Sequence, residues 1–520
     1  MMSHTFAASR ALGIFVGVFV GVGIACGQSN QTPRDDAREA AEQIRAALSG
    51  KKGTIGQQRS ALTLVIEAFR NFDTTTFLEE EQELAAEFRK TLSAYQPPAN
   101  DPTTTALWLE AYGSVLPTAQ ELVDRVGPYL PEKPRHPPIV TRAAAAAVGM
   151  VIDNGARRLQ RPPLLSEAQA HLQGQRPLAA QVGDLLQLAA NACGYSDEET
   201  RRRGLRAIET VANAVQQRFL SAFLPEKRTE IETPAEAQLI ADFLRETLLP
   251  RLAQIAPALK SGLSSADPFT RLQAARTASE IALMGERFRN LLSFAGRAPA
   301  KGEATPGGKY IDVIRGVLPD VIQRLRDPLP GVRLAAAETA ESAGPRAWPF
   351  RAELAAAAQD RDPIVRWVIA RALGRILPED SSDAAVPVAA LVGQVHDPDI
   401  DVRTNALRSL QRYGSRAVGA IDAVIENINR GDVDVRVVAV DTLEWIVAEG
   451  AKTSDVERAV AALADGVRTG DPRVQRQAAD ALGRLGPAAK SALPVLREAE
   501  RDPEPDLRRK ASKAILFIDR

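Results

Sequence analysis

Apolar residues recur along this chain at helical spacing, and the recurrence itself repeats. Val332, Ala336, Thr339 and Ala340 fall on one stripe, the spacing of a helix face that turns toward a core. "DPIVRWVIARALGRI", from Asp362 to Ile376, carries the same pattern. So do "DPLPGVRLAAAETAES" from Asp327, "DPDIDVRTNALRSLQ" from Asp397 and "DPEPDLRRKASKAIL" from Asp502. No run alternates with the β-branched residues of a strand. The chain reads as all-α.

Aligned on the residue before the arginine, the anchors are Thr270, Val332, Val365, Val402, Val435, Val474 and Leu507. From Val332 they stand 33, 37, 33, 39 and 33 residues apart. The step from Thr270 is 62, room for two short units or for one carrying the Gly296–Lys309 loop. Such a period is that of a helical solenoid. In each unit a first helix ends on aspartate, as in "VLPDVIQRLRD" (Val317–Asp327), and an Asp-Pro turn follows. Gly344-Pro345 and Gly486-Pro487 then stop the second helix. One unit cannot bury its stripe alone, so stacking stabilises it.

These residues resemble the HEAT repeat, in particular the bacterial HEAT-like repeats also found in phycobilin lyases. The resemblance implies an α-α superhelix over residues 234–520. A helical region with degenerate repeats (139–233) and a helical N-terminal region (28–138) precede it. It also implies a ladder of Asp–Arg hydrogen bonds: Asp327 with Arg333, Asp397 with Arg403, Asp502 with Arg508, and more loosely Arg366 with Asp360 or Asp362 and Arg436 with Asp432. Gln475 departs, standing where the arginine belongs. These residues are expected to be structural. Upstream, Ser196-Asp-Glu-Glu199 and Thr233-Pro-Ala-Glu236 read as capping boxes.

The N-terminus has a different pattern. After Arg10, Ala11–Gly27 runs without a charge, and "QSNQTPRDD" is wholly polar, the layout of a secretory leader over residues 1–27. Ala25 and Gly27 fit a cut after Gly27. "GIAC" also resembles the lipobox of bacterial lipoproteins, with Cys26 as the lipidated residue and Gly23 where that family has leucine. The run is at the short limit for a membrane span, and Gly13, Gly17 and Gly21 have helix-packing spacing. Lipidated, cleaved and anchored forms all place the rest of the chain outside the cytoplasm, in an extracytoplasmic or periplasmic location.

Composition narrows the chemistry. Lys plus Arg and Asp plus Glu are both 65, so the net charge is zero, and no nucleic-acid partner is expected. Two cysteines, Cys26 and Cys193, make no disulfide framework; Cys193 reads as a buried thiol. His4, His136, His171 and His396 are scattered, with no zinc spacing. "GEATPGGKY" (Gly302–Tyr310) fails as a phosphate loop, because Lys309 is one residue late and Tyr310 replaces Ser/Thr. No catalytic residue, metal or cofactor is expected.

In solenoids of the resembled family the second helices line the concave face. Positions two, six and ten after each anchor form an exposed ridge there, and it includes Trp367, Arg371, Arg375, Arg408, Arg412, Trp445 and Arg484. Arginine and tryptophan are frequent interface anchors. The expected function is a non-catalytic, exported or membrane-tethered scaffold that binds a partner protein, one with acidic groups, on this face. The alternatives are an accessory subunit of an enzyme, after the lyases, and, less in keeping with the charge, nucleic-acid binding.

Overall fold

Several helices of this chain begin where a side chain caps them. Thr54 and Thr118 form capping boxes with Gln57 and Glu121. Asp101, Asp362, Asp399 and Asp471 accept first-turn amides. Three helices end at glycines of positive φ, Gly344 at 59°, Gly414 at 51° and Gly486 at 58°, a conformation that a Cβ disfavours. The computed structural model describes residues 33–48, 53–70, 79–159, 178–223, 249–288, 313–378, 383–448, 450–468 and 471–519. The leader with Cys26, the Gly296–Lys309 loop and the Thr233–Glu236 cap lie outside the described residues. Among the described residues the regular structure is helical, with no strand.

The chain forms two compact units, Met1–Val313 and Ile314–Arg520. The first holds α1 (Pro33–Leu48), α2 (Ile55–Ala68), α3 (Glu79–Ala94), α4 (Pro102–Ser114), α5 (Ala119–Val126), α6 (Pro138–Leu159), α7 (Leu178–Cys193), α8 (Glu198–Phe223), α9 (Leu249–Leu263) and α10 (Pro268–Phe288). Here α4, α6, α8 and α10 pack side by side in one row, while α5, α7 and α9 form a second layer behind them. Thus helix pairs stack in this unit too, although its loops obscure the period. Cys193 ends α7 fully buried, and burial pushes its thiol pKa well up.

The second unit holds α11 (Leu318–Gln323), α12 (Pro330–Ala343), α13 (Arg351–Ala357), α14 (Pro363–Arg375), α15 (Ala385–Gln394) and α16 (Ile400–Tyr413). It continues with α17 (Ile421–Arg430), α18 (Val433–Val447), α19 (Thr453–Arg468), α20 (Pro472–Leu485), α21 (Leu493–Ala499) and α22 (Pro505–Ile518). The even-numbered helices are the second helices of the repeats and pack in one row; the odd-numbered ones cover that row from behind. This is the all-α solenoid that the periodicity implied.

The anchors hold both rows together. Val332, Val365, Val402, Val435 and Val474 have no exposed surface, and each such burial stabilises by roughly 1.5–3 kcal/mol. In the first unit Thr104, Thr141, Thr200 and Thr270 occupy the equivalent early positions and are buried as well. Small residues set how closely the rows pack. A Cβ on Gly374 would stand 2.7 Å from the Ser409 Cβ, and one on Gly483 would stand 2.9 Å from the Ala514 Cα.

Candidate functional site

The Asp-Pro turns position one edge of the second-helix row. Asp327, Asp360, Asp397 and Asp502 each accept the amide two residues on, at 2.8–3.0 Å, an Asx turn that aims the second helix. The proline has two registers. Pro363 and Pro472 follow the N-cap directly, whereas Pro328, Pro398 and Pro503 come one residue before it.

The Asp–Arg ladder is present, but its ion pairs run one repeat further than the sequence suggested. Arg333 donates to the Asp327 main-chain carbonyl at 3.0 Å and takes the carboxylate of Asp360 at 2.6 and 2.9 Å. Arg366 likewise bonds the Asp360 carbonyl at 2.9 Å and the Asp397 carboxylate at 2.6 and 2.8 Å. Arg403 bonds the Asp397 carbonyl at 2.8 Å and pairs with Asp432. Arg508 donates to the carbonyls of Asp502 and Pro503, at 2.8 and 2.9 Å. Arg436 departs, donating to the Ile428 carbonyl at 2.8 Å rather than to an Asp432 carboxylate. For Arg333 and Arg366 the reason is geometric: each guanidinium lies between two turns. Its near edge reaches the carbonyls of its own turn, and its far edge meets the next carboxylate as a fork. Burial raises the carboxyl pKa values of Asp360 and Asp397, but Arg333 and Arg366 outweigh it and hold both below the usual range.

The first unit carries a variant of this ladder that sequence reasoning missed. Asp101, Asp197 and Asp267 each accept from the amide and hydroxyl of the threonine three residues on. They pair with Arg59 at 2.8 Å, Arg142 at 2.6 Å and Arg202 at 3.0 Å. Asp197 therefore caps α8, in place of the expected Ser196. The signal available in the sequence was the spacing Asp-x-x-Thr at 101–104, 197–200 and 267–270.

Of the ridge residues, the structure brings Trp367, Arg371 and Arg375 together around Glu341. Arg371 lies 4.9 Å from the Trp367 ring centroid, a cation–π contact. It also meets the Glu341 carboxylate at 2.6 Å, and Arg375 meets it at 3.3 Å. Arg484 is bound as well, to Glu444 through Nε at 2.7 Å and to Asp480 and Asp441 at 2.8 and 3.1 Å. Glu341 and Glu444 are themselves buried. Arg408 and Arg412 are different. Both are exposed, and neither makes an ion pair or side-chain hydrogen bond among the described residues. Trp445, at the equivalent position to Arg412 on the neighbouring α18, is 58% exposed. The seven residues thus separate into a neutralised set and an available set of Arg408, Arg412 and Trp445.

No group of acidic, histidine or cysteine side chains among the described residues could hold a metal ion. No helix among them is long and apolar enough to cross a membrane.

The model for HEAT repeats matches residues 318–393, 352–444 and 421–516. Residues 318–516 are HEAT repeats. The stacked pairs α11/α12 to α21/α22 are those repeats, and the Asp–Arg ladder joins several of them. No curated protein matches the chain. Among solved structures, the crystal structure of an engineered protein is 19% identical and covers 51% of this chain and 96% of its own, with a TM-score of 0.29. That likeness is too slight to carry an argument. HEAT repeats make the second unit a repeat scaffold suited to protein interaction.

Proposed function

We propose that the HEAT unit holds a protein partner with acidic groups on the face of its second-helix row, and that Arg408, Arg412 and Trp445 are the contact. The observation that supports this most is the contrast along the row. Arg371, Arg375 and Arg484 are neutralised by carboxylates of the chain, whereas Arg408 and Arg412, one turn apart on α16, are not. Two unpaired guanidinium forks beside an exposed indole offer charge and apolar area together. The reading is of a non-catalytic scaffold, in keeping with HEAT repeats over residues 318–516. The uncharged run Ala11–Gly27 and Cys26 support export and tethering at the membrane.

The experiment is capture from native membranes with the wild-type chain and with the Arg408→Glu/Arg412→Glu variant side by side. A partner retained by the first and lost by the second supports the reading; identical partners in equal yield sink it. Intact mass of the mature protein tests the address, with loss of the leader expected and a lipid adduct if Cys26 is modified.

A further inference from the structure

In the first unit, the alanine-rich wall of α6 leaves room beside α8. Ala145, Ala146, Gly149 and Met150 line a cavity of about 340 Å³, faced by Glu199, Arg202, Arg203 and Arg206. A Cβ on Gly149 would meet nothing within 4 Å, so the space is set by the small residues of this wall. A second cavity of about 460 Å³ adjoins it and shares Arg206 and Gln273. The two form one groove along α8, and each has the volume of a small-molecule site.

Most charges in the groove are already paired. Arg202 pairs with Glu199 and, at 3.0 Å, with Asp267; Arg203 pairs with Glu199 at 2.7 Å; Arg276 pairs with Glu209 at 3.0 Å. Burial raises the Glu199 pKa, but its two arginines prevail and hold it below the ordinary range. Two charges remain, Arg206 on α8 and Asp153 on α6. Both line the first cavity, and neither is paired with the other or with any other described residue. The same cavity is lined by the small apolar surfaces of Ala145, Ala146 and Ala207 and the thioether of Met150.

We infer that this groove binds a small zwitterion, a molecule with a free carboxylate and a free ammonium, in the class of α-amino acids and short peptides. The carboxylate takes the Arg206 guanidinium, which can hold it as a fork. The ammonium faces Asp153, and the side chain lies on the alanine and methionine wall. A simple anion would leave Asp153 unmatched, and a simple cation would leave Arg206 unmatched. The site is lined by residues of the first unit.

Isothermal titration calorimetry on the full chain tests it, with a panel of the common free amino acids and glycyl dipeptides. Each ligand that binds is then compared with its N-acetylated and C-amidated forms. The expected result is saturable binding by at least one free ligand, weakened about tenfold or more by blocking either end. Arg206→Gln and Asp153→Asn should each weaken the same ligand by a similar factor. Binding by amino acids alone or by dipeptides alone supports the inference and names the source. Absence of binding across the panel up to about 10 mM overturns it. Equal binding of blocked and free forms to the wild-type chain overturns it too, and that arm does not depend on any variant folding.

Discussion

Arg366 grips the carboxylate of Asp397, 31 residues away in the next repeat, at 2.6 and 2.8 Å, and also holds the main-chain carbonyl of Asp360 at 2.9 Å. One side chain therefore fixes two consecutive turns. Its side chain is 14% exposed and that of Asp397 is 7%, so the pair is largely removed from water. Arg366→Ala would leave Asp397 buried without its counter-charge. Breaking such a pair costs about 3–5 kcal/mol. Hydrogen exchange should show the lost protection in α14, α15 and α16, since a solenoid couples near neighbours. Arg366→Met with Asp397→Asn should recover much of the loss, because the asparagine oxygen can still accept the Asp399 amide. Unchanged protection in Arg366→Ala would refute the ladder's contribution.

Acid should act through the same kind of pair in the first unit. Burial pushes the Asp197 pKa upward, but Arg142 and the Thr200 hydroxyl and amide outweigh it and hold it down at about 2. The hydroxyl and amide of Thr104, with Arg59, hold Asp101 at about 2 as well. Both lie below the unfolded value of about 3.9. A depressed folded-state pKa contributes stability that is present above the unfolded value and lost as pH falls through the folded one. The melting temperature of the first unit should therefore drop between about pH 4 and pH 2. Asp197→Asn should flatten that drop. A melting temperature constant across this window would contradict the assignment.

Much of the fold was legible in the sequence, because a repeat prints its packing many times over. Val332, Val365, Val402, Val435 and Val474 recur at solenoid spacing, and each is buried. The ladder residues were legible as types but not as partners. Asp397 stands before Arg403 in the chain, yet its carboxylate meets Arg366, and only the stacking of repeats decides that. The division of the ridge was hidden for a related reason. Glu341 and Glu444 occupy the position nine after the anchor, where Gly374 and Gly483 stand in other repeats. Whether a carboxylate there faces water or an arginine of the next helix depends on the helix-to-helix distance. The first-unit ladder escaped because insertions spread its repeats: Thr104, Thr141, Thr200 and Thr270 stand 37, 59 and 70 residues apart.

Two glycines should respond in opposite directions to the same change. Gly374 faces Ser409, and a Cβ there would lie 2.5 Å from its Oγ and 3.0 Å from its Cα. Gly393, on α15, has nothing within 4 Å. Gly393→Ala should stabilise by up to about 1 kcal/mol through helix propensity. Gly374→Ala gains the same propensity but must force α14 and α16 apart, and overpacking of this kind costs about 1–3 kcal/mol. Urea denaturation of the two variants separates them. Equal shifts would show that the rows tolerate a wider spacing.

Charge reversal on the ridge should likewise depend on position. Arg371 and Arg375 share the buried carboxylate of Glu341, so Arg371→Glu with Arg375→Glu would set three acids together and destabilise the repeat. Arg408 and Arg412 are exposed, and substitutions there should change stability by no more than about 0.5 kcal/mol each. Binding to an acidic partner is where they should count. An exposed ion pair contributes about 0.2–1 kcal/mol, so losing two costs up to about 2 kcal/mol, and the new repulsion adds to it. As about 1.4 kcal/mol is tenfold, Arg408→Glu/Arg412→Glu should weaken the captured partner by about one to two decades. Added salt should weaken the wild-type complex and, by screening the new repulsion, tighten that of the variant. Trp445→Ala should lower affinity without altering the salt dependence, since its contribution is apolar. Titration of the three proteins at two salt concentrations distinguishes these effects. A double variant that folds and binds as tightly as wild type would show that Arg408 and Arg412 are solvated surface, and that the HEAT unit holds its partner elsewhere.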